Sequence, residues 1–159
     1  TSDDASSRCF HQSCSTGHIE MAVWLCDTLH ITPEEVRMGD AFHISCVFGH
    51  LEVAQWLHEK FQITSEEAKV FDNQIFRESC SNGHLEMAHW LYETFHVTPG
   101  EAKMRDHSAF IMSCERGHLI VAKWLYETFY TSIKEIPHIF NDYYRITHPG
   151  VVQWLSEIS

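Results

Sequence analysis

The sequence predicts an all-α chain, an array of five helix-pair repeats joined by short connector helices. Three observations predict it. The first is a ladder of aromatic and histidine residues. Phe10, Phe42, Phe76, Phe110 and Phe140 recur at steps of 32, 34, 34 and 30 residues. His18, His50, His84, His118 and His148 each follow eight residues after the Phe, and Trp24, Trp56, Trp90, Trp124 and Trp154 fourteen after it. A fixed period of this length marks a repeat architecture, in which each unit buries its apolar face on its neighbours. The second is a glycine before four of the five histidines, Gly17, Gly49, Gly83 and Gly117. The third is a Thr/Ser-x-x-Glu step between successive repeats.

Each element follows in order. The polar, acidic start Thr1-Ser2-Asp3-Asp4 suits the amino-terminal end of a first helix. Within a repeat the first segment is helical, since Phe42, Ser45 and Cys46 fall at i, i+3 and i+4 on one face. The glycine ends that helix, because it readily takes the left-handed conformation found there. The second helix carries Leu51, Val53, Ala54, Trp56, Leu57 and Phe61 on two faces, which suits burial between its own partner and the next repeat. Thr32-Pro33-Glu34-Glu35, Thr64-Ser65-Glu66-Glu67 and Thr98-Pro99-Gly100-Glu101 read as capping boxes, as does Ser132 with Glu135, so each connector holds a third helix of one or two turns. The repeats span about 8–40, 41–73, 74–106, 107–138 and 139–159, and residues 1–159 read as one repeat domain. The fifth repeat is a degenerate carboxyl-terminal cap. Tyr143-Tyr144 replaces Ser-Cys, Thr147 replaces the glycine and Pro149-Gly150 replaces Leu-Glu.

Composition narrows the function classes. Of 159 residues 44% are hydrophobic, enough for a core, and the net charge is -11. That balance argues against nucleic acid and against an anionic membrane surface, since both require clustered cations. No apolar run approaches the roughly 18 residues of a transmembrane helix. The first residue is Thr1 rather than Met, which leaves a longer parent chain open. The six cysteines, Cys9, Cys14, Cys26, Cys46, Cys80 and Cys114, contain no Cys-x-x-Cys pair, and four of them recur once per repeat. They read as reduced thiols, which places the protein inside a cell, in cytoplasm or nucleus.

The unit Phe-x-x-Ser-Cys-x-x-Gly-His-Leu-Glu-(Val/Met)-Ala-x-Trp-Leu resembles the ankyrin repeat, over roughly Ser7 to Ser159. His11 and His43 match the His of that family's Thr-Pro-Leu-His motif, with Phe10 and Phe42 at its Leu, and Gly-His-Leu-Glu is the most specific segment. The departures are the absent Thr-Pro step, the replacement of that His by Arg77, Ile111 and Asn141, and the Thr-x-x-Glu connectors in place of a β-hairpin. The Trp-Leu style is similar to divergent ankyrin arrays of giant viruses that infect amoebae; for a viral source the partner would be a host protein. The resemblance implies an ankyrin-like helical solenoid that binds a partner protein, without catalysis, through a concave face lined by the first helices.

It also implies the contact positions. At the ends of the first helices these are Ser15 and Thr16, Val47 and Phe48, Ser81 and Asn82, and Glu115 and Arg116; in the connectors they are Arg37 and Gly39, Phe71 and Asn73, and Arg105 and His107. Val47-Phe48 also stands out from the residues alone, being apolar where the other repeats are polar. It reads either as an interface anchor or as a ring folded back on the connector helix.

Rival chemistry is weaker. Cys-x-x-Gly-His recurs at Cys14/His18, Cys46/His50, Cys80/His84 and Cys114/His118, but zinc needs four ligands at about 2.0–2.3 Å and each repeat offers two. The simpler reading is a small buried thiol and a His bonding across the turn. Periodic, buried cysteines are poor nucleophiles. The Trp ladder reads as core. The expected protein is therefore a monomeric, non-enzymatic module with no cofactor and no metal, whose partner is a protein, a basic one if the acidic amino-terminal half steers it. The alternatives are a self-assembling repeat scaffold, and behind it a Cys/His metal protein.

Overall fold

The computed structural model describes residues 2–38, 40–136 and 146–159, with side chains over 7–37, 40–136 and 146–159. Gly39 and the first helix of the fifth repeat, with Phe140, Asn141, Tyr143 and Tyr144, lie outside the described residues. Every regular element among the described residues is helical. The chain divides into two compact bodies, Thr1–Ala68 and Lys69–Ser159.

The amino-terminal body holds α1 (Ser2–Ser15), α2 (Ile19–Leu29), α3 (Pro33–Met38), α4 (Ala41–Val47), α5 (Leu51–Phe61) and α6 (Ser65–Ala68). Here α1 pairs with α2 and α4 with α5, while α1 also packs on α4 and α2 on α5. The carboxyl-terminal body holds α7 (Val70–Ser81), α8 (Leu85–Phe95), α9 (Pro99–Ala102), α10 (Met104–Glu115), α11 (Leu119–Phe129), a 3-10 turn (Ile133–Glu135) and α12 (Pro149–Ile158). It repeats the scheme, with α7 on α8, α10 on α11, α7 on α10 and α9 against both α7 and α10.

The turn inside each pair follows from its glycine. Gly49 has φ 77°; its N–H donates to Cys46 O at 3.1 Å, and the His50 N–H donates to Ser45 O at 2.8 Å. These two bonds close a Schellman motif and use carbonyls that the helix end would leave unpaired. The second helices end the same way without glycine, on His30, Gln62 and His96 at φ 52–54°. After each of these a buried Ile31, Ile63 or Val97 tucks back under the helix.

The connectors are helical as the capping signature predicts. Thr98 accepts from the Glu101 N–H at 3.3 Å while Glu101 accepts from the Thr98 N–H at 2.7 Å. Thr32/Glu35 and Thr64/Glu67 do the same. A cation two residues past each Glu then reaches the next connector: Arg37 pairs with Glu67, Lys69 with Glu101 at 3.0 Å and Lys103 with Glu135 at 2.6 Å.

The core is the repeat pattern seen from inside. Phe10, Phe76 and Phe110 are fully buried and Phe42 nearly so, beside Cys14, Cys46, Cys80 and Cys114 and the alanines Ala22, Ala54, Ala88 and Ala122. The serine before each cysteine is also buried, and its hydroxyl bonds within its own helix, as Ser45 Oγ does to Phe42 O at 2.8 Å. The Trp ladder departs from its predicted core role. Trp154 is buried and Trp56, Trp90 and Trp124 are half-buried, while Trp24 is 59% exposed. The reason is register: Trp56 packs edge-on to Phe10 of the preceding repeat, Trp124 to Phe76, and Trp154 tilts against Phe110. Among the described residues Trp24 makes no such ring contact.

Candidate functional site

In the amino-terminal body, the end of α1 carries Ser15 and Thr16. Both hydroxyls bond back to Gln12 O, at 2.9 and 2.8 Å, and Thr16 Oγ1 lies 2.7 Å from His18 Nδ1. This is the expected His contact across the turn. His50 instead donates through Nε2 to Ser15 O of the repeat before it, at 2.8 Å, so that histidine joins repeats rather than closing its own turn. At the end of α4, Val47 is half-buried and Phe48 is 57% exposed. The Phe48 ring faces His50, centroids 6.5 Å apart, rather than folding under the connector. Arg37 bonds to Glu67 and, at 3.4 Å, to Phe61 O, so it also ties connector to helix end.

In the carboxyl-terminal body, α7 and α10 present two small constellations. Arg116 donates through Nη1 to Asn82 Oδ1 at 2.5 Å and to Ser81 O at 3.1 Å, which brings three expected positions together beside Glu115. Ser81 itself is buried. Arg105 Nε meets Asp72 Oδ2 at 2.6 Å, and Arg77 donates to the carbonyls of Asp72 and Phe71 at 2.9 and 3.2 Å. Burial, then the neighbouring Arg105 charge, lowers the Arg77 pKa from its ordinary value. Two connector positions turn inward. Asn73 is 3% exposed, with its Nδ2 buried and lacking a hydrogen-bond partner, and His107 is half-buried with Nδ1 3.0 Å from the Tyr130 hydroxyl. Phe71 does the opposite and is 74% exposed.

The backbone beneath these connector residues is left-handed. Phe71, Asp72 and Asn73 have φ of 52, 57 and 57°, and Arg105, Asp106 and His107 have 54, 55 and 59°. Left-handed helical geometry costs roughly 1–2 kcal/mol for each residue with a Cβ. Asn and Asp tolerate it best; the first segment holds Asp72 and Asn73 and the second Asp106. The turn re-aims the chain so that its first side chain points out and its third points in.

Comparison with protein-family models, with curated proteins and with solved structures finds no match. The chain's own geometry therefore carries its reading.

For chemistry, the cysteines are the groups to weigh. All six are free thiols, and Cys9 is exposed while the other five are buried. Burial pushes the Cys14 thiol up to about 12, and Cys46, Cys80 and Cys114 further in the same direction. Such groups stay protonated and are weak nucleophiles at neutral pH. Among the described residues no three His, Cys, Asp or Glu converge as a metal site, and no helix is long and apolar enough to cross a membrane.

Sequence reasoning missed one surface. Met21 and Trp24 on α2 are 50 and 59% exposed and, with Gly17, His18, Ile19 and Glu20, line a shallow depression of about 660 Å³. No residue there departs from the repeat pattern, so the sequence offered no local signal.

Proposed function

We propose that this protein is an ankyrin-like helical repeat module that binds a partner protein, without catalysis, through the ends of its first helices and its connectors. The observation that carries the reading is Phe48. Its helix end is polar in the other three repeats that carry the motif, yet here a large aromatic ring stands more than half in solvent. Aromatic side chains dominate binding energy at protein interfaces, and this ring, stacked on His50 on one side, leaves the rest of its surface to solvent. Phe71 supports it from the connector, where an exposed aromatic sits on a backbone conformation that disfavours it. The buried, protonated cysteines support a non-enzymatic reading. The cysteine usage also supports an intracellular setting.

The test is affinity capture from a cell lysate with the wild type beside a Val47→Ser, Phe48→Thr variant whose fold is confirmed by circular dichroism. A protein retained by the wild type and lost from the variant is the expected result. No partner, or identical partners on both, overturns the role of this anchor.

A further inference from the structure

We propose that the exposed face of α2, formed by Met21 and Trp24 with His18 and Glu35 beside it, is a docking site for one more helix–turn–helix repeat of this chain's own pattern, stacked in covalent continuation ahead of α1.

Three independent features of the first repeat are each half of a contact that is complete elsewhere in the chain. The apolar half is Met21 and Trp24. The residues equivalent to Met21 are Val53, Met87, Val121 and Val151, all at most 2% exposed, against 50% for Met21. Trp56, Trp124 and Trp154 each meet a Phe of the preceding repeat, with ring centroids 6.2–6.4 Å apart. The histidine half is His18. In later repeats this ring sits against the glycine turn of the repeat before it, so tightly that a Cβ on Gly17, Gly83 or Gly117 would lie 2.5 Å from an atom of His50, His118 or His148. His18 has no such turn to meet and is exposed. The charged half is Glu35. Glu67, Glu101 and Glu135 each bind a cation from the preceding connector, whereas Glu35 is held by Thr32 and makes no ion pair among the described residues.

Those halves specify one complement: a Phe, a glycine turn and a Lys or Arg two residues past a connector Glu. Only a repeat of this pattern presents all three in register. A second copy of this chain does not present them at its carboxyl-terminal end. There Thr147 stands at the position of the glycine whose turn would receive His18. A lone repeat cannot bury its own apolar face, so the occupant is joined to the chain rather than free.

The test compares the 159-residue protein with a version in which a copy of residues 74–107 replaces residues 1–7 directly before Arg8, keeping the natural register. The added repeat is expected to fold, to raise Tm by about 5 °C or more, and to remove most of the acrylamide quenching assigned to Trp24 by difference from Trp24→Phe. A Met21→Ser, Trp24→Ser pair should leave Tm of the unextended protein nearly unchanged and abolish the gain in the extended one. The proposal is overturned if the added repeat stays unfolded, if Trp24 remains equally quenchable, or if the gain survives the double substitution. It is also overturned if the unextended protein sediments as a dimer that Trp24→Ser disperses, since a second copy would then hold the face.

Discussion

Phe71 joins an unfavourable backbone to an exposed apolar ring. Its φ of 52° and 74% exposure mean that neither its Cβ nor its ring contributes to folding. Replacing it with glycine removes the left-handed penalty while keeping the carbonyl that Arg77 uses. Phe71→Gly should therefore leave stability unchanged or raise it by about 0.5–1 kcal/mol, measured by urea unfolding. It should also weaken partner binding if the ring is a contact. A loss of stability would show that the ring packs on something. The ladder residues give the opposite contrast. Phe76→Ala opens a cavity in the core and should cost about 3–5 kcal/mol. Trp24→Ala, at an exposed site of the same ladder type, should stay within about 0.5 kcal/mol of wild type. The ladder shows all five Trp as equivalent; burial separates them because Trp56, Trp124 and Trp154 pack one repeat back and Trp24 does not.

At the scale of elements, the connectors are where sequence and structure agree most closely and where pH acts. Thr-x-x-Glu dictates both bonds of the capping box, so four short helical turns were legible from four residues each. The cation two residues past each Glu was equally visible, but its partner was not, because the pairing spans about thirty residues and depends on stacking. The left-handed turns at 71–73 and 105–107 gave no glycine signal, so the inward turn of Asn73 and His107 could not be read. The capping glutamates make an acid-stability prediction. Bonds from Lys103 first, then Thr131, hold the Glu135 carboxyl down at about 2, from an ordinary value of 4.5. The Thr32 amide lowers Glu35 and the Thr64 amide lowers Glu67; at Glu101 burial opposes, and the Thr98 amide and Lys69 outweigh it. A carboxylate whose folded pKa is depressed adds stability that is complete above about pH 4.5 and is lost as pH falls through the folded value. Glu135→Gln should therefore lower Tm at pH 7, and its gap from wild type should narrow between pH 4.5 and 2 in a thermal melt series. A gap that persists at pH 2 would mean that the Glu135 charge is not what stabilises the turn.

The whole molecule combines an exposed aromatic ring with a strong net charge, and in the proposed binding role the two would act on different steps. The charge of -11 is spread over solvated surfaces, where salt screens it beyond about 8 Å at physiological ionic strength. It can attract a basic partner at a distance, but it cannot hold one in a single register. In the proposed complex Phe48 would act only once water has left the contact, and so would govern how long that complex lasts. For a basic partner, raising ionic strength from about 0.02 to 0.3 M should cut the association rate by tenfold or more and change dissociation little. Phe48→Thr should do the reverse, speeding dissociation while leaving the slope of log association rate against salt intact. Stopped-flow association and surface-bound dissociation measured on the same pair separate the two. If association is insensitive to salt, the acidic surface serves solubility alone. If Phe48→Thr slows association instead, the ring acts during encounter and the division of labour between charge and anchor fails.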